Sequence, residues 1–324
     1  MNILVTGGLG VIGSWVARQL VQEGHRPILF ARTLNTSLIP DITGKVDIVV
    51  GDILDIPSII RVLKEYRIKI VAHAAGLMSN VAQLNPMVGF SVNAVGTVNV
   101  LEAARIMEVE RVVFTSSKHA LAPIVGDHGY PTYKPVDETY AAYPAAPTTV
   151  YGVAKVASEL MGNAYSEQYG FDFVALRFAT IFMPGKHRKP NVLAKIMENA
   201  MSGYPTVMLQ GSDEKDDMTY IRDVANAVVL ACFAKNLQHR LFHIGTAKGY
   251  SHADFAESIR KVYPRAVIDI GPGLRQPPGR GYVMDISRAR QELGYIPRFS
   301  PDEAVKDYVE VMKQFNLQPV SGPV

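Results

Sequence analysis

Tyr151 and Lys155 stand four residues apart in this 324-residue chain, within a stretch of strong helix formers. That spacing puts both side chains on one face of a helix. A tyrosine with its ordinary pKa near 10 is a poor base at neutral pH. An ammonium beside it favours the phenolate, so Lys155 is expected to lower the Tyr151 pKa. Thr115-Ser116-Ser117 closes a short apolar run, and a hydroxyl there can hold a substrate oxygen while Tyr151 exchanges its proton. Such a set suits proton exchange at an alcohol or carbonyl oxygen.

A hydride carrier is implied at the start of the chain. Thr6-Gly7-Gly8-Leu9-Gly10-Val11-Ile12-Gly13 follows the strand candidate Ile3–Val5 and opens the helix candidate Val11–Gln22. Gly7, Gly10 and Gly13 allow a tight turn, close approach of a pyrophosphate and close helix–strand packing, while Val11 and Ile12 offer N–H groups at a helix N-terminus. The second strand ends in Ala31-Arg32 instead of a carboxylate, which favours NADP over NAD because a guanidinium suits a 2′-phosphate. Asp52 is expected at the adenine amino group, and Ile53, Ala74, Ala75, Gly76, Thr115 and Phe178 elsewhere along the dinucleotide.

These residues need a frame of parallel strands. Short β-branched runs (Ile3–Val5, Pro27–Ala31, Asp47–Val50, Ile70–Ala72, Arg111–Thr115 and Phe173–Leu176) alternate with helical patterns at Val11–Gln22, Pro57–Tyr66, Pro86–Met107 and Thr149–Tyr169. This alternation predicts an α/β fold, a doubly wound parallel sheet, and Leu241–Ile244 reads as its last strand. Later helical patterns, separated by proline-containing loops, predict a smaller, mostly helical substrate lobe. The expected division is 1–178 plus 223–244 for the dinucleotide and 179–222 plus 245–324 for the substrate.

Composition excludes several other classes. Hydrophobic residues make up 48% and charged residues 19%, ordinary for a globular protein, and the net charge is only +3. The densest basic run, Lys186–Lys189, reads as a solvated loop, so no nucleic-acid partner is expected. One cysteine, Cys232, sits in an apolar run and allows no internal disulfide. No metal cluster, leader or run of about 18 apolar residues is read, so a cytoplasmic protein without a membrane span is expected.

Taken together, the glycine turn, Gly51-Asp52, His73–Gly76, Asn93, Thr115–Ser117, Tyr151 with Lys155 and Tyr220–Val224 resemble the extended short-chain dehydrogenase/reductase superfamily, in its NAD-dependent epimerase/dehydratase group. The resemblance covers nearly the whole chain. It implies a Rossmann sheet, Ser117 as the hydroxyl that positions the substrate oxygen, Tyr151 as acid/base, and Lys155 as ribose ligand and modulator of the tyrosine. It implies Asn93 as a buried support, and a homodimer through helices 86–107 and 149–169.

Two departures bear on the substrate. Thr180 stands where nucleotide-sugar members usually carry an asparagine, and acidic Asp213–Asp217 stands where they carry a diphosphate-binding arginine. A carboxylate there would repel a diphosphate. The reading is therefore an NAD(P)-dependent oxidoreductase for a small alcohol or carbonyl compound, with Met78, Ser79, Asn80, Ser117, His119, Thr149, Thr180 and Arg280 lining its pocket. Nucleotide-sugar epimerisation of the UDP-glucose 4-epimerase kind is the alternative, with contacts from Arg188, Arg275 or Arg280. Lys118-His119 argues against dehydration, which needs an acid/base pair there. A cofactor-binding regulator without turnover is a third reading.

Overall fold

The computed structural model describes residues 2–140, 149–185, 191–276 and 280–324. Lys186–Lys189, with Arg188, lies outside them. Seven parallel strands form one sheet. They are β1 (Ile3–Thr6), β2 (Ile28–Ala31), β3 (Asp47–Val50), β4 (Ile70–His73), β5 (Arg111–Ser117), β6 (Asp172–Phe178) and the strand Leu241–Ile244. In space the order is Leu241–Ile244, β6, β5, β4, β1, β2, β3, so the order reverses between β1 and β4. A ligand site is expected beyond the carboxyl ends of the strands at that reversal.

The near-continuous apolar strands are explained by helices on both faces. Ile3, Leu4 and Val5 of β1 are all fully buried. Burying each such side chain contributes about 1.5–3 kcal/mol. One face packs on α1 (Val11–Gln22) and the helix Ile221–Phe233; the other packs on α2 (Ile56–Glu65) and the helical stretch Pro86–Ile106. Cys232 lies in this core, and burial pushes its thiol up to about 12, as an inert packing group.

Three elements differ from expectation. The stretch Pro86–Ile106 is not a uniform α-helix, because Ser91–Val95 forms a π-turn. There the hydroxyls of Thr97 and Ser158 donate to the Asn93 carbonyl at 2.7 and 3.0 Å, which diverts it from the regular ladder. The same stretch is long and apolar enough to cross a membrane, with mean hydropathy 1.2, a property hidden in the sequence by its scattered polar residues. Much of it is buried against α2 and the helix Val150–Tyr169. Finally, the later segments are less helical than expected. They hold three small two-stranded sheets, pairing Thr180–Phe182 with Met218–Tyr220, Thr206–Met208 with Ile268–Ile270, and Lys215–Asp216 with Tyr250–Ser251. Strands of two or three residues leave too short an alternation to read.

Candidate active site

The β1–α1 turn opens a cleft of about 550 Å³ that runs along the ends of β1, β4, β5 and β6. Gly7 adopts φ +66°, and a Cβ there would lie 2.8 Å from the Ala75 backbone. A Cβ on Gly13 would lie 2.2 Å from the Gly7 carbonyl oxygen. Only glycine lets α1 start this close to the turn. The first turn of α1 has no capping side chain and no acidic residue, so its N–H groups and positive dipole end remain for an anion. Gly10, Val11, Ile12, Ala74, Ala75, Gly76, Thr115 and Phe178 line the cleft. Beneath it, His73 bridges the hydroxyls of Thr6 and Thr97 at 2.6 and 3.0 Å. Burial lowers its pKa to about 3, so it is a neutral strut. Asn93 clamps both backbone groups of Leu77, at 2.7 and 3.0 Å, as the supporting role implies.

Ser117, Tyr151 and Lys155 meet in this cleft. Thr149 accepts from the Gly152 N–H at 3.0 Å and so starts the helix that carries Tyr151 and Lys155. Lys155 Nζ donates to the Thr115 carbonyl at 2.6 Å and lies 5.4 Å from the centre of the Tyr151 ring. Burial lowers the lysine to about 8, against the pull of Glu159. The expected lowering of Tyr151 is not what its surroundings give. Burial raises its pKa, opposed by the hydrogen bond with Ser117, and the Lys155 ammonium is directed to Thr115. Glu159 locks this helix to the sheet: it accepts from Ser116 at 2.5 Å and from the Arg177 guanidinium at 2.7 and 2.9 Å.

A second cavity of about 320 Å³ shares Lys118, His119, Thr180 and Asn191 with the first. Lys118 Nζ donates to both oxygens of Asp216 at 2.6 and 2.8 Å, and Thr180 donates to Asp216 at 2.5 Å. The Tyr282 hydroxyl donates to the Lys118 carbonyl at 2.8 Å. The acidic segment is therefore not the repulsive patch that the sequence suggests. Asp216 is paired, and Asp217 is fully buried, accepts from Thr246, and is pushed by burial up to about 6. His119 packs edge-on to Tyr151, with ring centres 5.7 Å apart, and burial beside Lys118 and Arg280 lowers its pKa to about 4.

With this cleft in view, the likeness to known proteins is informative. The model of the NAD-dependent epimerase/dehydratase family matches residues 3–245. The chain belongs to this family. It is 27% identical over 97% of its length to a putative UDP-glucose 4-epimerase of Methanocaldococcus jannaschii, covering 99% of that protein. The UDP-glucose 4-epimerase of Thermus thermophilus, solved in complex with NAD, superposes with TM-score 0.80 at 26% identity, covering 97% of this chain and 99% of that one. A partial-consensus L-threonine 3-dehydrogenase has the same TM-score at 25% identity, with 97% and 100% covered. This member of the epimerase/dehydratase family is thus a nicotinamide-dinucleotide enzyme of the Rossmann type.

Other expected residues fall elsewhere. Gly13 packs behind the turn. Arg32 is exposed at the end of β2, Asp52 accepts from the Leu54 N–H, and Ile53 is buried against Gly96; none of these lines the cleft. Met78 and Ser79 line it, whereas Asn80 is exposed and turns back to the Val81 N–H. Thr149 is a helix cap and lines neither cavity, and Arg280 lines the second. Sequence reasoning missed Lys118–Asp216 as a pair, and also His252 and Tyr282. These residues sit at no motif spacing, and a solitary polar residue in a loop carries no signal of its own.

Proposed function

We propose that this enzyme catalyses net hydride transfer at an alcohol or carbonyl carbon of a small polar substrate. The Asp216–Lys118 pair carries the reading. By the resemblance, Asp216 falls in the segment where nucleotide-sugar members carry an arginine for diphosphate, and both Lys118 and Thr180 are tied to it. In reduction, Ser117 holds the carbonyl oxygen and Tyr151 gives it a proton. In oxidation Tyr151 takes the alcohol proton, and Lys155 fixes the Thr115 backbone beside it. A bound nicotinamide supplies or accepts the hydride. The substrate lobe, 179–222 plus 245–324, closes the cleft opposite the dinucleotide domain, 1–178 plus 223–244.

For the dinucleotide, the Thermus complex supports NAD. The preference for NADP read from the sequence rests on the missing carboxylate at Ala31 and on Arg32, which is exposed and makes no ion pair among the described residues. Calorimetric titration with both dinucleotides tests it, and tighter binding of NAD overturns it. Full-length similarity to UDP-glucose 4-epimerases favours the second reading, 4-epimerisation of a UDP-sugar. A dehydrogenase screen of hydroxy acids, sugars and aromatic alcohols, run beside UDP-glucose and UDP-galactose, separates the two. Saturable UDP-sugar binding with epimerisation and no net reduction of dinucleotide overturns the first.

A homodimer through helices 86–107 and 149–169 is part of this proposal, as is a cytoplasmic location. The exposed Met87 (81%), Val88 (53%) and Leu160 (64%) support the pairing. Sedimentation is expected to give a dimer that Leu160→Glu shifts toward monomer.

A further inference from the structure

We infer that Glu159 is a positioning residue and the counter-charge of the active site: one helical turn beyond Lys155, it keeps that ammonium charged and seated on the Thr115 carbonyl. This deepens the proposed function, which sets Lys155 beside Tyr151, and it applies to net hydride transfer and to 4-epimerisation alike. Three observations converge on it.

Three charged side chains are enclosed together. Lys155, Glu159 and Arg177 each expose only 5% of their surface. Glu159 lies four residues after Lys155 on the helix Val150–Tyr169, hence on the same face. It also holds the Arg177 guanidinium of β6 through two hydrogen bonds, at 2.7 and 2.9 Å. Two enclosed cations thus stand against one carboxylate. Arginine does not give up its proton, so without Glu159 the cost of two unmatched buried cations falls on Lys155, which sheds its own.

The same carboxylate fixes the seat of the ammonium. Consecutive residues of β5 take the two side chains. The Thr115 carbonyl accepts from Lys155 Nζ at 2.6 Å, and the Ser116 hydroxyl donates to Glu159 at 2.5 Å. Ser158, next to Glu159, donates to the Asn93 carbonyl at 3.0 Å and pins this turn of the helix from its other side. The register of Lys155 against Thr115–Ser117 is therefore held on both sides.

The remaining contacts of Lys155 carry no negative charge. The Phe114 ring lies 4.5 Å from Nζ and the Tyr151 ring 5.4 Å. His73 of β4 is neutral, lowered first by burial and then by the Lys155 charge, and His119 beside Tyr151 is neutral as well. Burial lowers Lys155 to about 8 and Glu159 opposes that fall, so the ammonium persists at neutral pH. An ammonium has three donors; one is spent on Thr115, and the others serve a ligand in the cleft that Lys155 lines. A neutral amine has fewer and gives weaker hydrogen bonds.

The test is NMR of the full-length protein with its lysines labelled with carbon-13 at Cε, following the Lys155 resonance, identified by its loss in Lys155→Met, as pH is varied. In the unaltered protein this lysine is expected to be charged at pH 7 and to titrate near pH 8. Glu159→Gln keeps the shape but not the charge, and is expected to move the midpoint down by about 1 pH unit or more. Glu159→Asp, which retains the charge, is expected to restore part of that fall. Ser116→Ala removes an anchor but no charge, and is expected to leave the midpoint in place. The sign separates charge from packing: a helix merely loosened admits water, and the lysine then rises toward its ordinary value of about 10.4. A midpoint that stays or rises in Glu159→Gln, an equal fall in Ser116→Ala, or a lysine already neutral at pH 7 in the unaltered protein overturns the inference. Should Glu159→Gln not fold, Arg177→Met removes the competing cation and should raise the midpoint; no change or a fall overturns the inference. These readings need no turnover. A fall in Glu159→Gln in a protein that reduces no dinucleotide leaves the inference standing and sinks the proposed dehydrogenase, and an unmoved lysine in an active dehydrogenase does the reverse.

Discussion

The two ends of the cleft are built from different materials. The dinucleotide end is mostly backbone: a glycine turn, the free N–H groups of α1, and small residues after β4. The substrate end is mostly side chains from remote loops, with a buried ion pair, two histidines and two arginines. Backbone sites tolerate little change, because they depend on local geometry that few residues can supply. Side-chain sites diverge freely, because exchanging a charge in a loop leaves the sheet intact. The fold and the dinucleotide chemistry go with the family, while the substrate end is where the proposed function is to be tested.

The largest expected effect lies where the two ends meet. Tyr151→Phe is expected to lower turnover by about 10²–10⁴, the usual contribution of a general acid or base, with dinucleotide affinity nearly intact. Steady-state rates and calorimetry on one preparation check this, and a variant retaining most activity would remove Tyr151 from its role. Next is the ion pair at the substrate end. Lys118→Met leaves Asp216 enclosed and unpaired, and breaking such a buried pair costs about 3–5 kcal/mol, measured by chemical denaturation. The double change Lys118→Met with Asp216→Leu should recover most of that loss, and it would not if the residues act independently.

At the dinucleotide end, Gly13→Ala forces a Cβ to within 2.2 Å of the Gly7 oxygen. Overpacking of this kind costs about 1–3 kcal/mol, and here it displaces the uncapped N–H groups at the start of α1. Dinucleotide binding should fall sharply while the Lys118–Asp216 pair is untouched; an unchanged affinity would show that the turn tolerates adjustment.

The last effect belongs to no single site but is spread over the whole molecule. Burial holds His73 and His243 at about 3 and His119 and His252 at about 4, all below the ordinary 6.5. The unfolded chain therefore takes up protons below pH 6.5 that the folded chain refuses. Stability present above pH 6.5 is lost as the pH falls through 6.5 toward 4, by up to about 1.4 kcal/mol per pKa unit for each group. Asp217 and Asp223, raised by burial to about 6, act oppositely: their contribution is present below pH 3.8 and lost as the pH rises through 6. Four groups against two give a net fall in stability from pH 7 to pH 4. Denaturation midpoints across that range that stay flat or rise would contradict it.

How much was legible follows the same division. α1, β3 and the strand Leu241–Ile244 fall where apolar periodicity places them, because the β1–α1 unit and buried parallel strands impose a local pattern. Ser117, Tyr151 and Lys155 were readable from motif and helical spacing, and they do meet in one cleft. The π-turn at Ser91–Val95 was not, because it depends on hydroxyls of Thr97 and Ser158, one of them on another helix. Nor was the upward shift of Tyr151, which burial decides against the hydrogen bond with Ser117.

What the sequence determined by itself was the sheet, the glycine turn and the placing of Tyr151 and Lys155 on one helix face, all set by contacts within a few residues or by a repeating apolar pattern. Only the tertiary structure decided the charge of the substrate end. Asp216 reads as a repulsive carboxylate in the chain, yet it finds Lys118, 98 residues away, and becomes half of a buried pair. A side chain's charge is a property of its type, but the field it exerts depends on the partners that folding brings within a few ångströms.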